Sequence, residues 1–308
     1  MDMQNSMTRR TWFCSASGGT AGLLLSGLAA DRCMAAPEKK PLYKISCTEY
    51  SLHRMLAKGA LNNLDFAPFV RTEFSLRAVE YWNRPFNDKA EDKTYLAEMR
   101  KRADDAGVEA TVILVDGAGH LGDPDAKLRN EAVDRHKKWV HCAAQLGCHS
   151  IRVNAHSKGS YDEQLRLAAE GLTKLSDYAA PVGINVLVEN HGGFSSDGGW
   201  LASVMQRVNK MNCGTLPDFG NFGAYNRYLG VKQLMPYAKC VSAKSNHFDA
   251  AGNETGTDYL RMMKIVVAAD YHGYVGIEYE GDKLTEVEGV KATQRLLERV
   301  RRSLATAS

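Results

Sequence analysis

The segment Gly183-Ile-Asn-Val-Leu-Val-Glu-Asn-His-Gly-Gly193 decides how this chain is read. Val186, Leu187 and Val188 form a short apolar run, as expected for a strand buried on both faces. The run delivers Glu189, Asn190 and His191 to its C-terminal end, followed by two glycines. A buried strand that ends in an acid and an imidazole is a way to build a site. The chain repeats the device downstream at Asp218, near His247 and at Glu278, at intervals of roughly 30 residues, about one strand-plus-helix unit.

Working outward, strand-like segments are centred near Ile45, Val79, Ile113, Ile151, Val186, Thr215, Val241 and Gly276. Helix-like segments alternate with them. Residues 95–106 stop at Gly107, and Asp123-Pro-Asp opens a helix that ends at Gly147. Residues 161–180 lead into Pro181-Val-Gly, and four more helices lie over 201–208, 229–237, 259–269 and 290–304. Eight such units predict an α/β fold with one closed (β/α)8 TIM barrel over residues 42–305, in preference to a doubly wound open sheet. With 308 residues the chain is long enough for a single barrel.

The N-terminus reads differently. Arg9-Arg10 precede a Gly/Leu/Ala segment at 21–30, and Ala35-Ala36 offer small residues for cleavage. Residues 1–36 therefore read as a twin-arginine-type signal peptide, which predicts a periplasmic or secreted protein. The apolar part is far short of the roughly 20 residues that span a bilayer, so no stable membrane span is expected. Cys47, Cys142, Cys148, Cys213 and Cys240 lie beyond that segment in no C-x-x-C pair, which excludes a dense disulfide framework. The net charge of +3 is small and no basic cluster is interleaved with aromatics, so nucleic acid is not an expected partner. A homo-oligomer is compatible with the sequence.

In a barrel the strand C-termini share one mouth. Glu80, Asp116, Asn154 with His156, Glu189 with His191, Asp218, Lys244 followed by His247, and Glu278 all fall at strand ends. Three carboxylates and an imidazole form a hard, oxygen-rich set that suits Mn²⁺, Mg²⁺ or Co²⁺, with Zn²⁺ also accommodated. Trp82, Phe86, Phe219 and Phe222 are candidates to pack against a ligand at the mouth, or in the core. Gly117-Ala-Gly-His-Leu-Gly122 matches a dinucleotide fingerprint, but Asp123-Pro-Asp puts the helix start after the motif, and no acid closes another strand at the required distance.

Val-Glu-Asn-His-Gly-Gly, Leu-Pro-Asp-Phe-Gly-Asn-Phe, Gly-Ile-Glu-Tyr-Glu-Gly and Leu-Gly-Cys-His-Ser-Ile-Arg-Val-Asn together resemble the xylose-isomerase-like (β/α)8 superfamily of sugar isomerases and epimerases, over residues 42–305. The resemblance implies metal ligands on strands five to eight, carried by the motifs to Glu189, Asp218 and Glu278. It implies a metal-dependent isomerase or epimerase, Mn²⁺ being the expected ion, acting on a small carbohydrate. Glu189 and Glu278 resemble the acid–base pair that moves a proton beside a carbonyl through an enediolate. Glu80, Asn154, His156, His191 and Lys244 are then candidate substrate contacts.

Strand seven departs from the family pattern. Where His-x-Lys-Asp is usual, this chain has Ser242-Ala-Lys-Ser245. His247 bending back is the favoured fourth ligand; Ser242 or water in that place, or the Lys244 ammonium replacing the metal, are the alternatives. Other activities on the same residues are a keto-glycoside lyase, a Schiff-base aldolase using Lys244, an AP-endonuclease-like hydrolase and a sugar-binding protein without catalysis.

Overall fold

The computed structural model describes residues 41–306; the signal-peptide reading of residues 1–36 lies outside them. Eight parallel strands follow in order: β1 (Lys44–Thr48), β2 (Ala78–Trp82), β3 (Glu109–Leu114), β4 (Ser150–Val153), β5 (Asn185–Glu189), β6 (Cys213–Leu216), β7 (Val241–Ser245) and β8 (Tyr274–Tyr279). Neighbours in the sheet run β6-β5-β4-β3-β2-β1-β8-β7. The remaining edge pair, β6 and β7, is joined by parallel bridges Thr215–Ala238 and Asp218–Ser242. The curled sheet thus forms the expected TIM barrel, and the last bridge sits at the site.

The helices are α1 (His53–Ala57), α2 (Phe66–Phe74), α3 (Lys93–Asp105), α4 (Ala126–Leu146), α5 (Tyr161–Ala179), α6 (Gly198–Val208), α7 (Arg227–Leu234), α8 (Tyr259–Ala268) and α9 (Glu286–Thr306). Their starts are set by local chemistry. Asp92, Asp125, Ser160, Asp197, Asn226 and Asp258 each accept hydrogen bonds from first-turn backbone N–H groups. Gly147 and Asn209 end α4 and α6 in the left-handed conformation. Helix α4 starts beyond the glycines of 117–122, so that segment is a loop and not a phosphate-binding helix entrance. No described helix is long and apolar enough to cross a membrane.

The large core lies between the outward face of the strands and the helices. Inside the barrel the apolar filling is small: Val112, Leu114, Leu187, Leu216 and Cys240, with Trp82 against them. Polar side chains occupy other interior positions, among them Ser46, Thr48, Glu80 and Ser242, all buried. Glu80 takes hydrogen bonds from Ser46 Oγ at 2.7 Å and Thr48 Oγ1 at 2.9 Å. A Cβ at Gly276 would come within 2.2 Å of Glu80 Oε1, so glycine on β8 makes the room that carboxyl needs. The five cysteines at 47, 142, 148, 213 and 240 are buried free thiols, as small core residues should be.

Candidate active site

Glu189 closes β5, Asp218 follows β6, and Glu278 lies near the end of β8. All three are buried, and each offers an oxygen within 4.8 Å of the others. The strand spacing read from the sequence therefore brings these carboxylates together. Neighbouring backbone fixes Asp218. Asn190 Nδ2 donates to the Asp218 carbonyl at 3.0 Å, while Asn190 Oδ1 accepts from the Asp218 N–H at 2.7 Å. Asp218 Oδ1 accepts from the N–H groups of Gly220 and Asn221, both at 2.8 Å.

Ser242, not His247, stands at the strand-seven position. Its Oγ is 2.7 Å from Asp218 Oδ2 and 2.8 Å from Glu278 Oε2. His247 lies beyond the end of β7, on a loop held by backbone hydrogen bonding between His247 and Thr255, and it is half-exposed with Nδ1 3.8 Å from Asp282. The expectation that His247 bends back as a ligand is thus corrected. The strand ends at Ser245, and the loop that follows turns His247 Nδ1 toward Asp282.

Lys244 and Arg152 supply the positive charge. Lys244 Nζ is 3.4 Å from Glu278, 3.9 Å from Asp218 and 3.1 Å from Glu280, and it donates to Asn221 Oδ1 at 3.2 Å. Burial opposes its charge, but Asp218, Glu278, Glu189 and Glu280 outweigh it and hold its pKa well above the ordinary lysine value. These carboxylates favour its ammonium form, a poor state for Schiff-base formation. Arg152, buried on β4, places Nε 2.8 Å from Glu189 Oε2 and Nη1 2.7 Å from Asp116 Oδ1. Asn221 Nδ2 donates to the other Glu189 oxygen at 3.0 Å.

These surroundings set the acids apart. Burial pushes Glu189 up to about 8, with Arg152 working against it and Glu278 and Asp218 reinforcing it. Burial likewise raises Asp218 to about 6. Burial also acts on Glu278, but Lys244, then Arg152 and the Ser242 hydrogen bond, bring it below the usual carboxylate value. Asp116 is lowered too: burial opposes its charge, and Arg152 and the Trp82 indole N–H overcome that.

A cavity of about 420 Å³ opens over the cluster, lined by residues that include Trp82, Asp116, Arg152, His191 and Glu278. Glu189 and Asp218 lie behind Glu278 and Arg152. His191 faces this cavity as expected, and burial, then Arg152 and Lys244, depress its pKa to about 4, so the ring is neutral at neutral pH. Asn154 donates to Asp116 Oδ1 at 3.1 Å, and His156 packs beneath Gly192 and Gly193. Neither lines the cavity. Glu80 is a layer lower in the barrel, tied to β1, and the expectation that it reaches substrate at the mouth is corrected. Phe86, Phe219 and Phe222 are core side chains; Trp82 alone of the four aromatic candidates faces the cavity. Sequence reasoning missed Arg152 and Asn221 as site residues. The signal for Arg152 was a guanidinium placed inside an otherwise apolar strand, which needs a buried partner.

The donors fit a hard divalent ion. The Ser242 hydroxyl has one hydrogen and faces two carboxylate oxygens, so one oxygen–oxygen contact lacks a proton to bridge it. A cation or a shared proton resolves that contact. Glu189, Asp218, Glu278 and the Ser242 oxygen make an all-oxygen set of the kind Mg²⁺ or Mn²⁺ prefers.

The family described as xylose isomerase-like TIM barrel matches residues 73–302. No curated protein matches the chain significantly. Among solved structures, a xylose isomerase domain protein from Planctomyces limnophilus superposes with a TM-score of 0.67 at 18% identity, covering 87% of this chain and 99% of its own. A 3-keto-D-glucoside 4-epimerase from E. coli gives 0.64 at 17%, covering 77% and 94%. An IOLI protein with a binding zinc atom gives 0.68 at 16%, covering 84% and 98%. At these identities the superpositions speak for the fold, and the family match extends over most of the described residues: the chain belongs to the xylose isomerase-like TIM-barrel family.

Proposed function

We propose that the protein is a sugar isomerase or epimerase that moves a proton on a carbon next to a carbonyl, with a hard divalent metal held by Glu189, Asp218, Glu278 and Ser242. The observation that carries this reading is the convergence of three buried carboxylates, two of them on the Ser242 hydroxyl, at the C-terminal end of the barrel. The sugar epimerases among the structural neighbours support it. When bound, the ion would polarise the carbonyl and stabilise the charge that develops on its oxygen.

The chain's own residues do the rest. In this reading Glu278, which lines the cavity, and Glu189, on a different strand and set behind it, are the pair that takes and returns the proton. Arg152 and Asn221 hold the two Glu189 oxygens, and Lys244 holds Glu278, so each carboxylate keeps one orientation. His191, neutral, can donate or accept a hydrogen bond to a sugar hydroxyl. Export by residues 1–36 belongs to this proposal.

The test is elemental analysis of protein equilibrated with Mn²⁺ or Mg²⁺ and then desalted, with deuterium uptake from D₂O into a panel of keto-sugars. One ion per chain and exchange that disappears in Glu189→Gln and Glu278→Gln are expected. Absence of both ion and exchange would overturn the proposal.

A further inference from the structure

Two cavities open side by side at the mouth. The first lies over the carboxylates. The second, of about 500 Å³, is walled by Leu56, Ala57, Leu61, Pro85 and Tyr95, with His53 and Asn62 contributing polar groups. Trp82 and Arg84 belong to both. Trp82 is therefore the divider, and it is held from three sides. Its indole N–H donates to Asp116 Oδ2 at 2.9 Å, its backbone N–H donates to Glu49 Oε2 at 2.9 Å, and Tyr50 meets it edge-on at 4.9 Å. The same Asp116 accepts from Arg152, which holds Glu189. Divider and Glu189 belong to one frame, joined by a hydrogen bond from Trp82 to Asp116 and by the ion pairs of Arg152.

We propose that the second cavity is a subsite for a second ring, joined to the reacting sugar by a glycosidic bond. This rests on the sugar isomerase or epimerase reading and narrows its substrate to glycosides. A two-ring ligand lying across Trp82 uses both cavities, with the fixed indole between its rings. Aliphatic and aromatic walls with a few polar side chains suit a ring with an apolar face and polar edges.

The consequence for the chemistry is specific. A glycoside cannot open to an aldehyde, so the carbonyl must be a ketone on a ring carbon. The C–H bond on the adjacent carbon breaks, its proton passes to a carboxylate and its electron pair moves into the C–C–O system. A proton returned to the opposite face re-forms C–H with inverted configuration. No oxidant or reductant is consumed, and aldose–ketose interconversion is excluded for such a substrate.

The test is calorimetric binding of 3-keto-D-glucose and of 4-nitrophenyl 3-keto-β-D-glucoside to the Mn²⁺-equilibrated full chain, its Ala57→Trp variant and its Leu56→Trp variant. Ala57 is exposed at the cavity rim, so Trp there fills the cavity without disturbing the core. Wild type should bind the glycoside at least tenfold tighter than the free sugar. Both variants should lose that advantage while the free sugar binds within twofold of wild type. Equal binding of the two ligands by wild type, or an advantage that survives both variants, overturns the subsite and leaves the epimerase reading standing. Binding of neither ligand, together with no solvent exchange into any keto-sugar, removes the epimerase reading and the subsite with it.

Discussion

Ser242 Oγ stands 2.7 Å from Asp218 Oδ2, across the parallel bridge that closes β6 onto β7. The strand pairing that completes the barrel therefore also puts a hydroxyl where the family pattern has an imidazole. The proposed donor set becomes all oxygen, the ligand type that suits hard ions.

Substitution at this position should change metal preference. Ser242→His should raise Zn²⁺ affinity at least tenfold relative to Mg²⁺, read by calorimetric titration of the metal-free protein. Ser242→Ala, which keeps the fold and removes the oxygen, should weaken Mg²⁺ or Mn²⁺ binding by about 10- to 100-fold, the usual range for loss of a supporting contact. Unchanged affinities in both variants would count against Ser242 as part of the metal position.

Metal addition should stabilise the fold. An ion that binds only the folded chain adds about 2.7 kcal/mol at a hundredfold excess over its Kd. The melting temperature of metal-free protein should rise by several degrees on adding Mn²⁺ or Mg²⁺, and Glu189→Gln should blunt the rise. A melting curve indifferent to divalent ions up to millimolar concentration would contradict the proposed site.

Arg152 should matter for stability as well as for the site. It is buried between Asp116 and Glu189. Arg152→Met leaves both carboxylates without their guanidinium partner, and breaking a buried pair this way costs about 3–5 kcal/mol. Urea unfolding of wild type and variant measures it. A loss under about 1 kcal/mol would show that the guanidinium is not needed to hold the two acids.

Stability should also depend on pH through Glu80. Burial pushes its folded-state pKa from the ordinary carboxylate value up to about 7, against the Ser46 and Thr48 hydrogen bonds. The folded chain then holds this proton more tightly than the unfolded chain does. That contribution is complete below the unfolded value and is lost as pH rises through about 7. Glu49, raised to about 8 by burial, acts in the same sense. Metal-free wild type should melt at progressively lower temperature from pH 5 to pH 8, and Glu80→Gln should flatten that slope. Identical slopes for the two proteins would exclude Glu80 as a source.

Much of the fold was legible because its signals are local. Each strand centre chosen from apolar runs falls inside a strand, and the helix from Tyr161 begins where Ser160 caps it. Helices α1 and α2 were not placed, because the stretch after β1 is broken by a 3-10 turn and short segments with no long apolar period. In the site, the carboxylates at 189, 218 and 278 were legible because a parallel barrel converts unit spacing into convergence. Glu80 ends up in the interior for the same reason: adjacent positions on a strand alternate in direction, and depth along the barrel axis is not written in spacing.

The sequence by itself determined eight strand-plus-helix units, the acids at their ends and the departure at Ser242-Ala-Lys-Ser245. Only the tertiary structure decided what fills that departure. Closing the sheet brought Ser242 between Asp218 and Glu278, put Lys244 beside them, and left His247 on the loop after β7. It also drew Arg152 and Asp116 into one frame with Trp82 and set a second cavity beside the first. These are contacts between residues far apart in the chain, fixed by barrel closure and by the need of each buried charge for a partner, and no local pattern encodes them.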